Sequence, residues 1–345
     1  MPELLADHTT LRLGGPADRF VVASTEEALL AEVRAADEAG TSLLVLGGGS
    51  NLVVGDAGFG GTVVKVATTG IDADVVDDEG PACGGVLVTV AAGEDWDGFV
   101  AHAVGHGWSG VEALSGIPGS VGATPVQNVG AYGQEVAQTV ARVRTWDRVE
   151  GRLRTFPAAD CGFGYRWSRF KADPGRYVVL SVTFQLARGT LGAPVAYAEL
   201  ARTLGVEVGQ RAPLADVREA VLRLRRGKGM VLDAADHDTW SAGSFFTNPV
   251  VEPDRVPEGA PQYPAPGTDG LVKTSAAWLI DHAGFAKGYG AGPATLSTKH
   301  TLALTNRGAA TTADLLRLAL EVRDGVELAY GIRLENEPVL LGCSL

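Results

Sequence analysis

Positive charge is scarce in this sequence. Lysine and arginine total 29 against 41 aspartates and glutamates, a formal net charge of −12 at pH 7. A protein that tracks nucleic acid needs a basic face for the phosphates, so nucleic acid is not the expected partner. A local pocket for one phosphorylated small molecule remains compatible with that balance. Cysteine is scarcer still, with Cys83, Cys161 and Cys343 the full set. The number is odd and no Cys-x-x-Cys spacing occurs, which points to reduced thiols and marks none as a nucleophile. Long apolar runs are missing: no segment reaches membrane-spanning length, and no basic-then-apolar leader opens the chain. The expectation is a soluble cytoplasmic protein with no membrane partner. The usual signatures of several enzyme classes are absent as well. No P-loop, His-Glu-x-x-His or Gly-x-Ser-x-Gly pattern occurs, and the glycine run at 46–51 is not a Gly-x-Gly-x-x-Gly fingerprint. Asp236-His237-Asp238 looks ligand-like, but three consecutive residues cannot all face one metal, so a solvated loop and no metal are expected there.

What is present is glycine, 46 residues of it, which implies tight loops and close approaches of backbone to ligand. At 345 residues the chain exceeds one ordinary core and predicts two or three domains, with room to enclose a cofactor. Apolar residues at 46% and charged residues at 20% are globular values. Residues 19–67 read as strand, helix, strand, loop, strand. Ser24 and Glu27 stand in capping-box register, Leu29, Leu30, Val33 and Ala36 form the helical stripe, and Gly40 closes it. Residues 70–190 are strand-rich. GVLVTVAAG, VARVRTWDR, RLRTFPA and YVVLSVTFQLA alternate as antiparallel strands do, and Trp96, Phe99, Val100 and Ala103 mark a helix between them. RGTLGAP, residues 188–194, reads as a boundary. Beyond it come an amphipathic helix with Val217, Val221 and Leu224, a Pro-rich stretch at 251–270 expected to be irregular surface, a helix capped by Ser275, and a long helix with Leu315, Leu318, Val322 and Val326 on one face. The class is α+β, without internal repeats.

Five segments carry chemistry. LGGGSN at 46–51 follows a buried strand, and consecutive glycines expose N–H groups in a concave nest that suits a diphosphate. In SGIPGSVGATPVQNVGAYGQEV at 115–136, a flat ring could lie against backbone, while Gln127, Asn128 and Tyr132 add polar groups. FGYRWSRFK at 163–171 places Arg166 between two aromatics, a setting for a guanidinium that meets a carboxylate or a developing enolate. SAGSFFTNPV at 241–250 sets the Ser244 hydroxyl, a proton donor, beside Phe245 and Phe246, which are expected to bury it. In RLENEPVLLG at 333–342, Glu335 and Glu337 would point to one side of a strand, and one buried carboxylate could donate a proton. Each segment read alone also fits a plain structural role, whether a glycine hairpin, a surface loop, a tight turn with a core Phe pair, or an edge strand.

Together and in this order, LGGGSNLVV, IPGSVGATPVQNVGAYGQEV, FGYRWSRFK, GSFFTNP and LENEP resemble the UDP-N-acetylenolpyruvoylglucosamine reductase (MurB) family, flavoenzymes of peptidoglycan synthesis. The likeness runs from HTTLRLGGPADRF at 8–20 to LENEPVLLG. It implies a two-subdomain FAD-binding fold of the vanillyl-alcohol-oxidase type (1–67 and 68–200) plus a C-terminal α+β domain for a UDP-sugar (201–345), the extreme C-terminus packing back on the FAD domain. It implies non-covalent FAD, NADPH as hydride donor, a UDP-sugar substrate and a monomer. By resemblance, Gly47, Gly48, Gly49, Ser50 and Asn51 form the pyrophosphate loop, and Ile117, Pro118, Ala123 and Val126 face the flavin. Ser244 matches the proton donor, and Arg166 and Glu337 the pair that stabilises an enol intermediate. Tyr165, Gln127, Tyr132, Tyr197 and Asn248 look like substrate contacts, with Tyr197 in the extra tyrosine loop of the longer subtype. Two departures stand out. GKGMVLDAADHDTW replaces the expected Leu-Pro-Asp-Pro with its lysine, leaving Lys228 as the candidate for the substrate diphosphate. Ala123 and Thr124 stand where relatives have serine, so one flavin hydrogen bond is expected to be missing. An FAD oxidase of the same superfold, and a UDP-sugar sensor without catalysis, are the alternative readings.

Overall fold

A computed structural model describes residues 2–75, 85–265 and 267–345; Cys83 lies outside them. The described helices are α1 (Glu26–Ala39), α2 (Trp96–Gly105), the single turn α3 (Arg169–Ala172), α4 (Ala198–Leu204), α5 (Leu214–Gly227), α6 (Ala276–His282) and α7 (Thr312–Tyr330). The chain forms two compact units, one of residues 18–48 and 60–226, the other of residues 1–17, 49–59 and 227–345.

The larger unit holds two sheets. In the first, Leu43–Leu46 pairs parallel to Phe59–Val66, with Ala17–Ala23 on the other side of Phe59–Val66. Helix α1 buries Leu29, Val33 and Ala36, the predicted stripe, and ends at Gly40 with φ 62°, a left-handed cap. Its N-cap is Thr25, whose Oγ1 accepts from Ala28 N at 3.2 Å, one residue later than the expected Ser24. The strand runs through Ala23, and the turn into the helix takes one further residue. The second sheet is antiparallel, in the order Arg152–Pro157, Val140–Asp147, Tyr177–Arg188, Gly85–Ala91, Ile71–Val75, and Trp108–Ser109 also pairs with Tyr177–Arg188. Alternation in Gly85–Ala91 sends Val86, Val88 and Val90 inward. That core contains Trp96, Phe99 and Phe184, with ring centroids 5.0–5.9 Å apart. Cys161 is fully buried, and burial pushes its thiol up to about 11, the setting of an unreactive cysteine. A smaller core gathers Val195, Leu200, Val217 and Val221 from the α4–α5 region around Ala113.

In the other unit, Leu52–Val54 pairs parallel with Val339–Leu341. Phe245, Phe246, Leu279, Ile280, Leu315 and Val322 share its core with Leu11, Leu13 and Val53. Ser275 caps α6 by accepting from Trp278 N at 3.2 Å, as the sequence predicts. Helix α7 opens with a reciprocal Thr311–Asp314 capping box. Asp56 adds to it, accepting from Thr312 N at 2.7 Å and Ala313 N at 3.1 Å, while Thr312 Oγ1 donates to Val54 O at 2.6 Å. The Pro-rich stretch is more ordered than expected: Val250–Val251, Val272–Thr274 and Gln262–Pro264 form a small antiparallel sheet, because prolines at strand ends and edges leave the ladder of the middle strand intact.

Asp236-His237-Asp238 is no solvated loop. Asp238 is 4% exposed and accepts from Thr298 N at 2.9 Å, Thr298 Oγ1 at 2.5 Å and Arg307 Nη1 at 2.9 Å. Asp236 pairs with Lys299 at 2.5 Å, and the His237 ring meets Trp240 edge-on. The triplet pins the loop before Leu304–Asn306. Among the described residues no group of His, Cys, Asp or Glu side chains could hold a metal ion, and no helix is long and apolar enough to cross a membrane.

Candidate active site

The glycine loop after Leu43–Leu46 meets the 115–136 segment backbone to backbone. A Cβ on Gly48 would lie 2.5 Å from Gly119 Cα, and one on Gly47 would lie 2.5 Å from Ser120 Oγ. Only glycine permits that approach. Among the described residues, the N–H groups of Gly47, Gly48, Gly119 and Ser120 donate to no protein acceptor. Four backbone N–H groups with no protein acceptor, on two touching loops, are donors that an anion could meet. The chain then passes to the other unit through Gly49, Ser50 and Asn51. A Cβ on Gly49 would fall 1.9 Å from His8 O, so that glycine is needed for the turn, and Gly49 O accepts from Thr10 N at 3.2 Å.

Beyond these loops, Val121 is fully buried while Ile117, Pro118 and Val126 are half-buried and Ala123 is exposed. Ile117, Pro118, Val126 and Ala123 thus leave apolar surface accessible along this segment. Thr124 turns inward, donating Oγ1 to Val121 O at 2.8 Å. Asp97 holds the near end of this segment. Its Oδ1 accepts from Gly116 N at 2.6 Å, and Arg218 of α5 clamps the carboxylate through two bonds of 2.6 and 2.9 Å. Burial alone would raise the Asp97 pKa; the Arg218 and Gly116 donors outweigh it and hold the carboxyl below the ordinary range. Sequence reasoning missed Asp97, since its partners stand far away along the chain and no local pattern marks them.

The same unit assembles a polar and aromatic cluster. Three of its residues, Asn128, Tyr132 and Arg166, have positive φ without being glycine, at 45°, 49° and 52°. Such strain persists where the surroundings enforce it. Asn128 is the enforcing group: its amide donates to Glu135 Oε2 at 2.8 Å and Gly164 O at 3.0 Å, and its Oδ1 accepts from Ala137 N at 3.1 Å. This fastens the turn carrying Tyr165 and Arg166 onto the 128–137 segment. Arg166 Nη2 donates to Gly130 O at 3.1 Å, and the guanidinium lies 5.5 Å from the Tyr165 ring centre. Gln127 is buried beside them. Tyr197, the N-cap residue of α4, meets Tyr132 edge-on at 6.1 Å.

The other unit places Ser244 and Glu337 on adjacent strands of chain. Glu337 N donates to Phe245 O at 2.8 Å, Thr247 N donates to Glu335 O at 3.0 Å, and Phe246 bridges Asn336. Ser244 is half-buried, after Gly243 with φ 74°. Phe245 and Phe246, each 1% exposed, pack in the core, so they anchor the turn instead of covering the hydroxyl. Glu335 and Glu337 do not lie in a regular strand, because pairing there is limited to the single bridge and the strand begins at Val339. The two differ in setting: Glu335 is exposed and Glu337 half-buried. Asn51 Nδ2 donates to Glu337 O at 3.4 Å, and Val339 N to Asn51 O at 2.9 Å, so Asn51 braces the carboxylate-bearing segment. Asn248 Oδ1 accepts from Ala276 N at the start of α6.

Comparison with known proteins gives a consistent result. A family profile described as an FAD binding domain matches residues 17–156, and one described as the C-terminal domain of UDP-N-acetylenolpyruvoylglucosamine reductase matches residues 235–341. A UDP-N-acetylenolpyruvoylglucosamine reductase from Cutibacterium acnes is 61% identical over 99% of this chain and 90% of its own length. That of Thermobifida fusca is 60% identical over 99% and 97%. The crystal structure of the Thermus caldophilus reductase aligns over 99% of this chain and 98% of its own, with TM-score 0.64 and 26% identity.

Proposed function

The chain belongs to the UDP-N-acetylenolpyruvoylglucosamine reductase family, and on that premise we propose that it reduces the enolpyruvyl ether of UDP-N-acetylglucosamine to UDP-N-acetylmuramate, using NADPH and non-covalently held FAD. It is an α+β protein with the FAD fold of vanillyl-alcohol-oxidase-type flavoproteins, followed by a substrate domain. The observation that carries the reading is the pair of touching loops at Gly47, Gly48, Gly119 and Ser120, whose four N–H groups meet no protein acceptor among the described residues, within the stretch matched as FAD-binding.

Bound FAD supplies the hydride chemistry, between NADPH and the vinyl carbon of the substrate. Gly47, Gly48, Gly49, Ser50 and Asn51, with Gly119 and Ser120 against them, would hold the diphosphate, and Ile117, Pro118, Ala123 and Val126 would support the ring. Arg166, permanently charged, offsets the substrate carboxylate and the charge that develops beside it. Ser244 delivers the proton to the neighbouring carbon. Glu337, half-buried near Phe245, stabilises the same charge as a neutral carboxyl that donates a hydrogen bond. Tyr165, Gln127, Tyr132 and Tyr197 contact the substrate. Asn248, its carbonyl committed to α6, offers its amide N–H groups. The functional domains are 1–67, 68–200 and 201–345, and the enzyme works as a cytoplasmic monomer on small molecules.

The test is a pair of half-reactions without oxygen. NADPH should bleach the flavin band of the purified protein, and the enolpyruvyl substrate should restore it. A reduced protein that ignores this substrate but reacts rapidly with oxygen would instead be an oxidase of the same superfold.

A further inference from the structure

We propose that Glu112 is a positioning residue that sets the Tyr132–Tyr197 pair; this rests on the reading of those tyrosines as substrate contacts. Glu112 is 1% exposed, in the short turn Glu112–Leu114. Its Oε2 accepts from Gly110 N at 2.6 Å, and its Oε1 accepts from Ala193 N at 2.6 Å and Gln134 Nε2 at 2.9 Å. Among the described residues no lysine, arginine or histidine pairs with it. Gln134 is fixed at its other end too, since its Oε1 accepts from Ala113 N at 2.7 Å.

The three donors come from separate parts of the chain, and two of those parts carry the tyrosines. Gln134 follows Tyr132 by two residues in the turn that joins Gly130–Ala131 to Gln134–Glu135. Ala193 precedes Tyr197 by four. The fit is close: a Cβ on Gly192 would stand 2.8 Å from Glu112 Oε1, and one on Gly133 would stand 2.6 Å from Ala196 Cβ. One buried carboxylate therefore ties the Tyr132 turn to the approach to α4, while the Tyr197 ring itself is 52% exposed. Desolvating a carboxylate with no cation beside it is costly. Val195, Leu200 and Val217 form an apolar core beside Ala113, the next residue, so the carboxylate stands at the edge of a region that a plain apolar side chain would suit apart from its three donors. What the carboxylate adds is directional: three charge-assisted bonds that fix two segments relative to each other. An aromatic pair that must meet one sugar nucleotide in one geometry requires that kind of fixing.

Glu112→Gln replaces one of the two accepting oxygens by N–H2, so at least one of the three donors meets another donor. The variant should keep its FAD and its rate of flavin reduction by NADPH. Its KM for the enolpyruvyl substrate should rise roughly ten-fold, the loss expected for one buried charge-assisted bond, with kcat held within about two-fold. Tyr197→Ala should raise KM as well, and Glu112→Gln added to it should bring a smaller rise than Glu112→Gln alone, since only Tyr132 is then left to misplace; fully multiplying effects would overturn the proposal. Gly192→Ala, which sets a methyl 2.8 Å from Glu112 Oε1 and so disturbs the same contact from the other side, should show the same selective KM effect, and a normal KM there, with exchange over 190–197 quickened, would also overturn it. Hydrogen exchange over 190–197 reads the clamp without substrate. Unchanged exchange in Glu112→Gln overturns the clamp, whereas faster exchange, with no turnover of enolpyruvyl substrate by the unaltered enzyme, overturns the functional reading instead.

Discussion

Ser244 and Glu337 owe their proximity to backbone. The Glu337 N–H bonds to Phe245 O, so the hydroxyl and the carboxylate sit on neighbouring segments whatever their side chains do. The hydroxyl is the sole proton donor proposed for the carbon centre, and replacing it with a methyl hydrogen barely alters volume. Ser244→Ala should therefore leave flavin reduction by NADPH intact and slow reoxidation by substrate roughly 10²–10⁴-fold, the usual contribution of a general acid. Near-normal turnover in single-turnover kinetics would remove Ser244 from that role. The paired glutamates offer an internal control. Glu337→Gln should lose most turnover, whereas Glu335→Gln, altering an exposed side chain, should keep it. The sequence marked these residues through their motif but misjudged their setting. The Phe pair reads as a cover for the hydroxyl and is core, and the alternating glutamates read as a strand where one bridge forms. Local pattern reports period and polarity; which neighbour a side chain meets is decided by segments far off in the chain.

Elements were legible where the signal is local. The α1 stripe with its Gly40 cap, the Ser275 cap of α6 and the antiparallel alternation of Val140–Asp147, Arg152–Pro157 and Tyr177–Arg188 follow from periodicity and capping chemistry alone. The 236–238 triplet and Asp97 were not legible, because their partners lie 60 or more residues away at Thr298 and Arg307, and over a hundred away at Arg218. The two glycine loops give a sharp test of cofactor binding. In Gly48→Ala the new methyl would press on the Gly119 backbone, so the loops must part, and FAD content, read as the ratio of absorbance at 450 to 280 nm, should fall severely. Full flavin occupancy would show that the loops do not jointly bind the cofactor. Asp97 adds a pH dependence. Its carboxyl is held below the ordinary range, so its bracing is fully present above the usual carboxylate pKa and fades only as pH falls through the depressed value. FAD retention should thus be flat from pH 8 to 5 and drop in stronger acid. Asp97→Asn should retain less FAD across the whole range in equilibrium dialysis.

At the scale of the whole molecule, one unit is built from three separate pieces of chain, residues 1–17, 49–59 and 227–345. Asp56 is the knot among them, capping α7 with two hydrogen bonds from a position 256 residues earlier. Asp56→Ala should destabilise that unit by ~1 kcal/mol, as loss of a helix cap does, and hydrogen exchange should quicken first at Thr312 and Ala313; unchanged exchange there would show the bonds to be dispensable. The same interleaving has a temporal side. The strand Leu52–Val54 pairs with Val339–Leu341. At about 5–20 residues per second on the ribosome, its partner emerges roughly 15–60 s later. Throughout that interval a strand with two buried valines offers an open hydrogen-bonding edge to any other chain within reach. The nascent protein is thus most exposed to mispairing before Val339–Leu341 is made, and its yield in cells should depend on chaperones that shield that edge.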